Sequence, residues 1–155
     1  MKARSAVAGG TIAATAAVLG NALVGKESLA WFRALKAPRG QLPMSGFVAV
    51  AALYYMIMGM VLARGIDQRR ASTIAWAIAV LIGNEAWNGL LFGRRNPGAA
   101  FAGLLAFLLP LGGLQWSVRR DRRSSVVLLP YTVYVLGYDL GWSYRLWRLN
   151  PRSGC

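Results

Sequence analysis

The feature that most constrains this chain is a recurrence of apolar tracts close to twenty residues long, parted by short turns that carry arginine. A helix rises about 1.5 Å per residue and the hydrocarbon core of a bilayer is roughly 30 Å thick, so about twenty apolar residues make one crossing. Tracts at 6–24, 46–63, 71–92, 98–117 and 125–146 meet that need. The pattern predicts an all-α fold, one integral membrane bundle of five transmembrane helices spanning 1–155, with 25–45 as its longest connection. The first tract resembles a secretory leader, but it is longer than a usual leader core and no cleavage signal follows it, so it is expected to be a span. An apolar share of 56% with 15% charged residues excludes a disordered chain.

The charge is lopsided, with 18 lysines and arginines against 5 acids. In one stripe these cations would suggest a nucleic-acid binder; divided among every turn they exclude that partner and fit side chains snorkelling to anionic head groups of the bilayer. Orientation does not follow, because a five-span arrangement puts nine basic residues on each side. There is no histidine, and the one cysteine is Cys155. An intrachain disulfide, a thiol or imidazole metal site and a histidine-based triad are thereby excluded, and no metal is expected.

What remains for chemistry is aromatic rings, amides and rare carboxylates. Glu85 and Asp139 fall inside spans, where an ionised acid costs about 2.5–3.5 kcal/mol unless it faces the bundle interior or water. Each is either a ligand-contacting or proton-linked acid, or a structural acid with a partner. Asn84, Trp87 and Asn88 surround Glu85 with donors, acceptors and a flat apolar face; they suit the edge of a planar ligand or, equally, a junction between helices. At about 100° per residue, Ala71, Ala75, Ala79 and Gly83 make a small-residue stripe on the other side of that helix, a candidate dimer surface or a seat for a helix of the same chain. Gly9, Ala13 and Ala17 make a similar stripe in the first tract. In the fifth, Tyr131, Tyr134, Tyr138 and Trp142 recur at steps of three and four and share a face beside Gly137 and Gly141; an interfacial belt explains the outer two better than the inner two. A weak sterol-type pattern runs from Leu140 through Tyr144 to Arg148. The connection 25–45, with Trp31, Phe32, Pro38 and Pro43, is long enough to be a lid.

In this order the pieces resemble the translocator protein family, the tryptophan-rich sensory or TspO/MBR proteins, also called peripheral-type benzodiazepine receptors. Asn84-Glu85-Ala86-Trp87-Asn88-Gly89-Leu90-Leu91-Phe92-Gly93 resembles the family block N-x-x-W-x-P-x-F-F-G. Trp31-Phe32-x-x-Leu35-x-x-Pro38 resembles W-[YF]-x-x-L-x-x-P, Leu53-Tyr54 with Met58-Gly59 resembles L-Y-x-x-M-G, and Pro130-Tyr131 with Arg148-Leu149-Asn150 resembles the two ends of the family's fifth helix. The resemblance covers essentially the whole chain and implies a five-helix bundle, often a homodimer, whose first loop closes over a pocket for porphyrins, haem, sterols or isoquinoline-type ligands. It implies a bacterial envelope membrane or, in a eukaryote, the mitochondrial outer membrane. Departures fall on the loop: Pro38-Arg39-Gly40-Gln41-Leu42-Pro43 stands where the family has P-W-W-x-P-P. The A-W-T of the second helix falls near Val50-Ala51-Ala52, and the tryptophan following P-Y-x-x is Tyr134. Some members are implied to degrade porphyrins through paired pocket tryptophans; both are replaced here, which argues against that activity.

The main expectation is a receptor or carrier for a planar hydrophobic ligand, with Trp31 and Pro38 in the lid, Tyr54, Asn84, Trp87, Tyr134, Tyr138 and Trp142 in the wall, no covalent step and no obligatory cofactor, porphyrin or haem being a ligand. The alternative is a membrane enzyme on a lipid-soluble substrate, with Glu85 or Asp139 as general acid or base. Proton-coupled export of hydrophobic cations fits poorly, since the first span carries no charge.

Overall fold

The apolar tracts fold as helices because a backbone in hydrocarbon must satisfy its own N–H and C=O groups. The computed structural model describes residues 1–151, so Cys155 lies outside them. The helices are α1 (Ala3–Ala22), α2 (Lys26–Ala34), α3 (Met44–Asp67), α4 (Ala71–Asn88), α5 (Pro97–Val118), α6 (Arg122–Tyr134) and α7 (Leu140–Leu149). A π-helical turn, Gly89–Gly93, extends α4, and another, Val135–Asp139, joins α6 to α7. No strand occurs among the described residues.

Four segments are long and apolar enough to cross a bilayer: Ala3–Ala22, Met44–Asp67, Ala71–Gly93 and Pro97–Val118. The expected fifth differs. α6 has 13 residues and α7 has 10, and the rod they form carries Asp139, Arg145 and Arg148, so length and apolarity do not mark it. The connection 25–45 is also more ordered than expected, because 26–34 is helical. Glu27 in its first turn and Arg33 in its last complement the helix dipole, and Phe32 is its buried anchor.

Both ends of the bundle are tied. At one, the Lys2 N–H donates to Asp67 Oδ1 at 3.0 Å, the terminal ammonium lies 3.6 Å from Asp67, and Arg64 grips Asp121 through Nε and Nη2 at 3.0 and 2.7 Å. Ser124 and Gln68 add donors to Asp121, and the Arg64 guanidinium, foremost among them, holds that carboxyl well below the usual carboxylate range. At the other end Arg95 pairs with Glu27 at 3.1 Å, and Asn150 holds the Lys36 peptide from both sides, accepting its N–H at 2.9 Å and donating to its C=O at 3.0 Å. α1, α3, α4, α5 and the α6–α7 rod all run between these ends.

Small residues set the closest approach. A β-carbon on Gly9 would strike the backbone of Ala63 and Gly59, so α1 lies directly on α3, as small-residue stripes permit where lipid removes any hydrophobic drive between helices. The main core joins α3, α4, α5 and α6 around Met58, Val61, Leu62, Val80, Leu104 and Leu111. A second, smaller core of Phe32, Leu91, Ala100, Trp142 and Leu146 sits under α2. Trp87 packs against both.

Candidate functional site

Steps of three and four along the α6–α7 rod put its rings on one face, and the structure stacks them. Tyr131 and Tyr134 lie 6.4 Å apart at 24°, Tyr134 and Tyr138 5.3 Å apart at 26°. Tyr54 of α3 continues the ladder, 4.7 Å from Tyr131, with its hydroxyl donating to the Val80 carbonyl at 3.3 Å. Trp142 leaves the ladder for the second core, 5.2 Å from Phe47 and 6.2 Å from Phe32.

The connection lies along this rod. The Tyr138 hydroxyl accepts from the Leu42 N–H at 2.9 Å and donates to the Gly40 carbonyl at 3.3 Å. The Trp142 indole donates to Gln41 Oε1 at 3.2 Å. Between these anchors Pro38-Arg39-Gly40-Gln41 makes a turn closed by the Gln41 N–H on the Pro38 carbonyl, with Gly40 at φ +79° in the left-handed region that glycine tolerates. Pro38 is buried and Trp31 half-buried beside the second core.

Trp87 lies where the two cores meet, and its indole N–H is buried without an acceptor among the described residues. Glu85 is in the opposite situation. Its Oε1 accepts from the Tyr55 hydroxyl at 2.7 Å and Asn84 Nδ2 at 3.3 Å, and its Oε2 from Asn88 Nδ2 at 3.2 Å. The carboxylate also lies so close on Gly20 that a β-carbon there would collide with it. Asn84 and Glu85 therefore belong to a junction of α1, α3 and α4, while Tyr138 and Trp142 bond the connection and Trp87 packs against the core beneath α2. Asp139, half-buried in its π turn, takes part in none of the side-chain hydrogen bonds or ion pairs found among the described residues. The small-residue stripe divides: Ala71 and Ala75 are exposed, Ala79 is half-buried, and Gly83 packs on Phe107 and Pro110 of α5.

Two concavities flank the connection. A recess of about 220 Å³ lies between Phe32, Leu35, Leu42 and Phe47. An open groove of about 590 Å³ lies outside, between Pro38, Arg39 and α7. Neither is lined by Tyr54, Asn84, Trp87 or Tyr134, whose rings and amides are packed against protein in this conformation.

Sequence reasoning passed over Tyr55, Gly40, Gln41 and Asn150. The spacing Y-x-x-M-G, which Tyr55 and not Tyr54 satisfies with Met58-Gly59, singles out Tyr55; Asn150 ends the R-L-N signature. Gln41 and Gly40 had no signal beyond standing where the family motif differs.

Helices of this length and apolarity, tied at both ends and bridged by a connection bound over aromatic rings, define an integral membrane protein. The model of the TspO/MBR family matches residues 8–147, and the chain belongs to that family of membrane receptors and transporters. Comparison with curated proteins gave no match.

Proposed function

We propose that this protein is a membrane receptor or carrier that takes a planar hydrophobic ligand of tetrapyrrole or sterol type between its helices, with 36–43 as a lid. The observation that carries the reading is the Trp87 indole N–H, buried without an acceptor where the two cores meet. An unpaired buried donor costs about 1–3 kcal/mol, so a ligand carbonyl, carboxylate or ring nitrogen placed there recovers energy the resting protein forgoes. The lid is held by separate hydrogen bonds through Tyr138, Trp142 and Asn150, which can break without disrupting the main core. It must lift, since the recess of about 220 Å³ is below the roughly 300–1,000 Å³ of ordinary small-molecule sites. Glu85, already accepting from Tyr55, Asn84 and Asn88, serves the helix junction in this reading and not acid–base chemistry. The exposed part of the stripe, Ala71 and Ala75, is the surface left for a second copy.

The test is a titration of detergent-held protein with protoporphyrin, following ligand absorption and tryptophan quenching. Saturable binding that Trp87→Phe weakens by about five- to tenfold, the worth of one hydrogen bond, is expected. Asn84→Ala is expected to cost stability and leave affinity within about twofold. Absence of saturable binding, or full affinity in Trp87→Phe, would overturn the reading.

A further inference from the structure

The open groove outside the lid has a composition the ligand pocket does not explain. Pro38 and Arg39 of the lid form one side; Tyr144, Arg145, Arg148 and Leu149 of α7 form the other. Its cationic rim is three arginines, all exposed, and no carboxylate lines it. Among the described residues the ion pairs are Met1–Asp67, Arg64–Asp121 and Arg95–Glu27, so none of the three guanidiniums is neutralised there. The rest of the lining is apolar: a proline ring, a tyrosine face and a leucine. The groove lies at the bundle end where Asn150 clamps the Lys36 peptide, a clamp that ties the connection carrying Arg39 to the end of α7.

We propose that this groove is a binding site for one anionic phospholipid of the surrounding bilayer. Its phosphate is held by Arg39, Arg145 and Arg148, and the upper part of an acyl chain lies on Tyr144 and Leu149. Charge complementarity selects the head group, since planar guanidiniums donate in pairs to phosphate oxygens. Position selects a lipid over a soluble anion: the arginines rim an apolar surface at the end of a membrane bundle, where a free phosphate would leave that surface uncovered. Because Arg39 belongs to the lid and the other two to α7, the bound lipid bridges them.

Native mass spectrometry of the detergent-held full chain tests this, with phosphatidylglycerol, phosphatidylcholine and inorganic phosphate as separate probes. Expected is one tightly retained phosphatidylglycerol, bound at least about tenfold more tightly than phosphatidylcholine, because each arginine near a lipid surface favours an anionic head group. Arg145→Gln with Arg148→Gln should abolish that preference, whereas Arg122→Gln with Arg123→Gln, an equal loss of charge at the other bundle end, should leave it intact. Circular dichroism of both pairs checks that helical content is unchanged, and Arg39→Gln alone, at a non-helical position, should lower the preference severalfold. Equal loss in the two pairs would reduce the effect to net charge and overturn the proposal. So would equal retention of phosphatidylcholine, or displacement of the lipid by millimolar inorganic phosphate.

Discussion

Gly40 stands where the family motif carries a tryptophan, and its φ of +79° explains why none fits here. A side chain in the left-handed region costs about 1–2 kcal/mol, so a tryptophan in this turn conformation would be strained. Gly40→Ala should therefore lower the detergent melting stability by about 1 kcal/mol, whereas Arg39→Ala beside it should not; equal melting of Gly40→Ala and the parent would show that the turn is not held as described. Gly20 is constrained differently, by space. A methyl there runs into the Glu85 carboxylate and approaches the Tyr55 hydroxyl, so Gly20→Ala should cost about 1–3 kcal/mol by overpacking, read in the same melt. That Glu85 needs partners followed from its place in an apolar tract; that Tyr55 and Gly20 supply its surroundings required the helices to be packed, because those contacts cross 30 and more residues of chain.

The α6–α7 rod shows how far a period can be read at the scale of an element. Steps of three and four placed Tyr131, Tyr134 and Tyr138 on one face, and they are stacked there. The same steps did not reveal the π turn at Val135–Asp139, which shifts the register just before Trp142 and delivers that ring to the core under α2. Tyr138 anchors the connection at Leu42 and Gly40, so Tyr138→Phe, which removes both of its hydrogen bonds while keeping the ring, should speed amide exchange at Leu42 by about fivefold or more. Unchanged exchange would mean the lid is held elsewhere. At the opposite end of the rod, Asp121 is held ionised by Arg64, with a folded pKa below its ordinary value. A depressed carboxyl contributes stability that is complete above about pH 4, the unfolded value, and is lost as pH falls further towards the folded one. Melting stability should thus fall between about pH 4 and pH 2 in the parent and stay flatter in Asp121→Asn, which should already be weaker at neutral pH by about 2 kcal/mol. Parallel pH profiles would remove Asp121 from that account.

Across the whole molecule, the sequence left orientation undecided because its basic residues are shared equally, and the tract 125–146, expected as a fifth span, falls in the rod Arg122–Leu149, which length and apolarity do not mark as a crossing. The ties at the bundle ends supply what hydropathy lacks. Lys2, Asp67, Arg64 and Asp121 meet at one end; Glu27, Arg95, Lys36 and Asn150 meet at the other. The rod starts at the first group and stops at the second, alongside helices that are each long enough to cross, and a fifth crossing is the outcome this arrangement predicts. Its arginines near Asn150 sit at its end, where long side chains reach water, and its Tyr131 faces inward on Tyr54 of α3. Five crossings would put the two termini on opposite faces of the bilayer. In a Cys155→Ser background, single cysteines at Ser125 and Arg148 should be labelled by a membrane-impermeant maleimide from opposite sides of sealed vesicles, with Lys2→Cys on the side of Ser125. Labelling of Ser125 and Arg148 from one side would mean that the fifth rod folds back at its π turn, leaving four crossings and a lid that closes over a different surface.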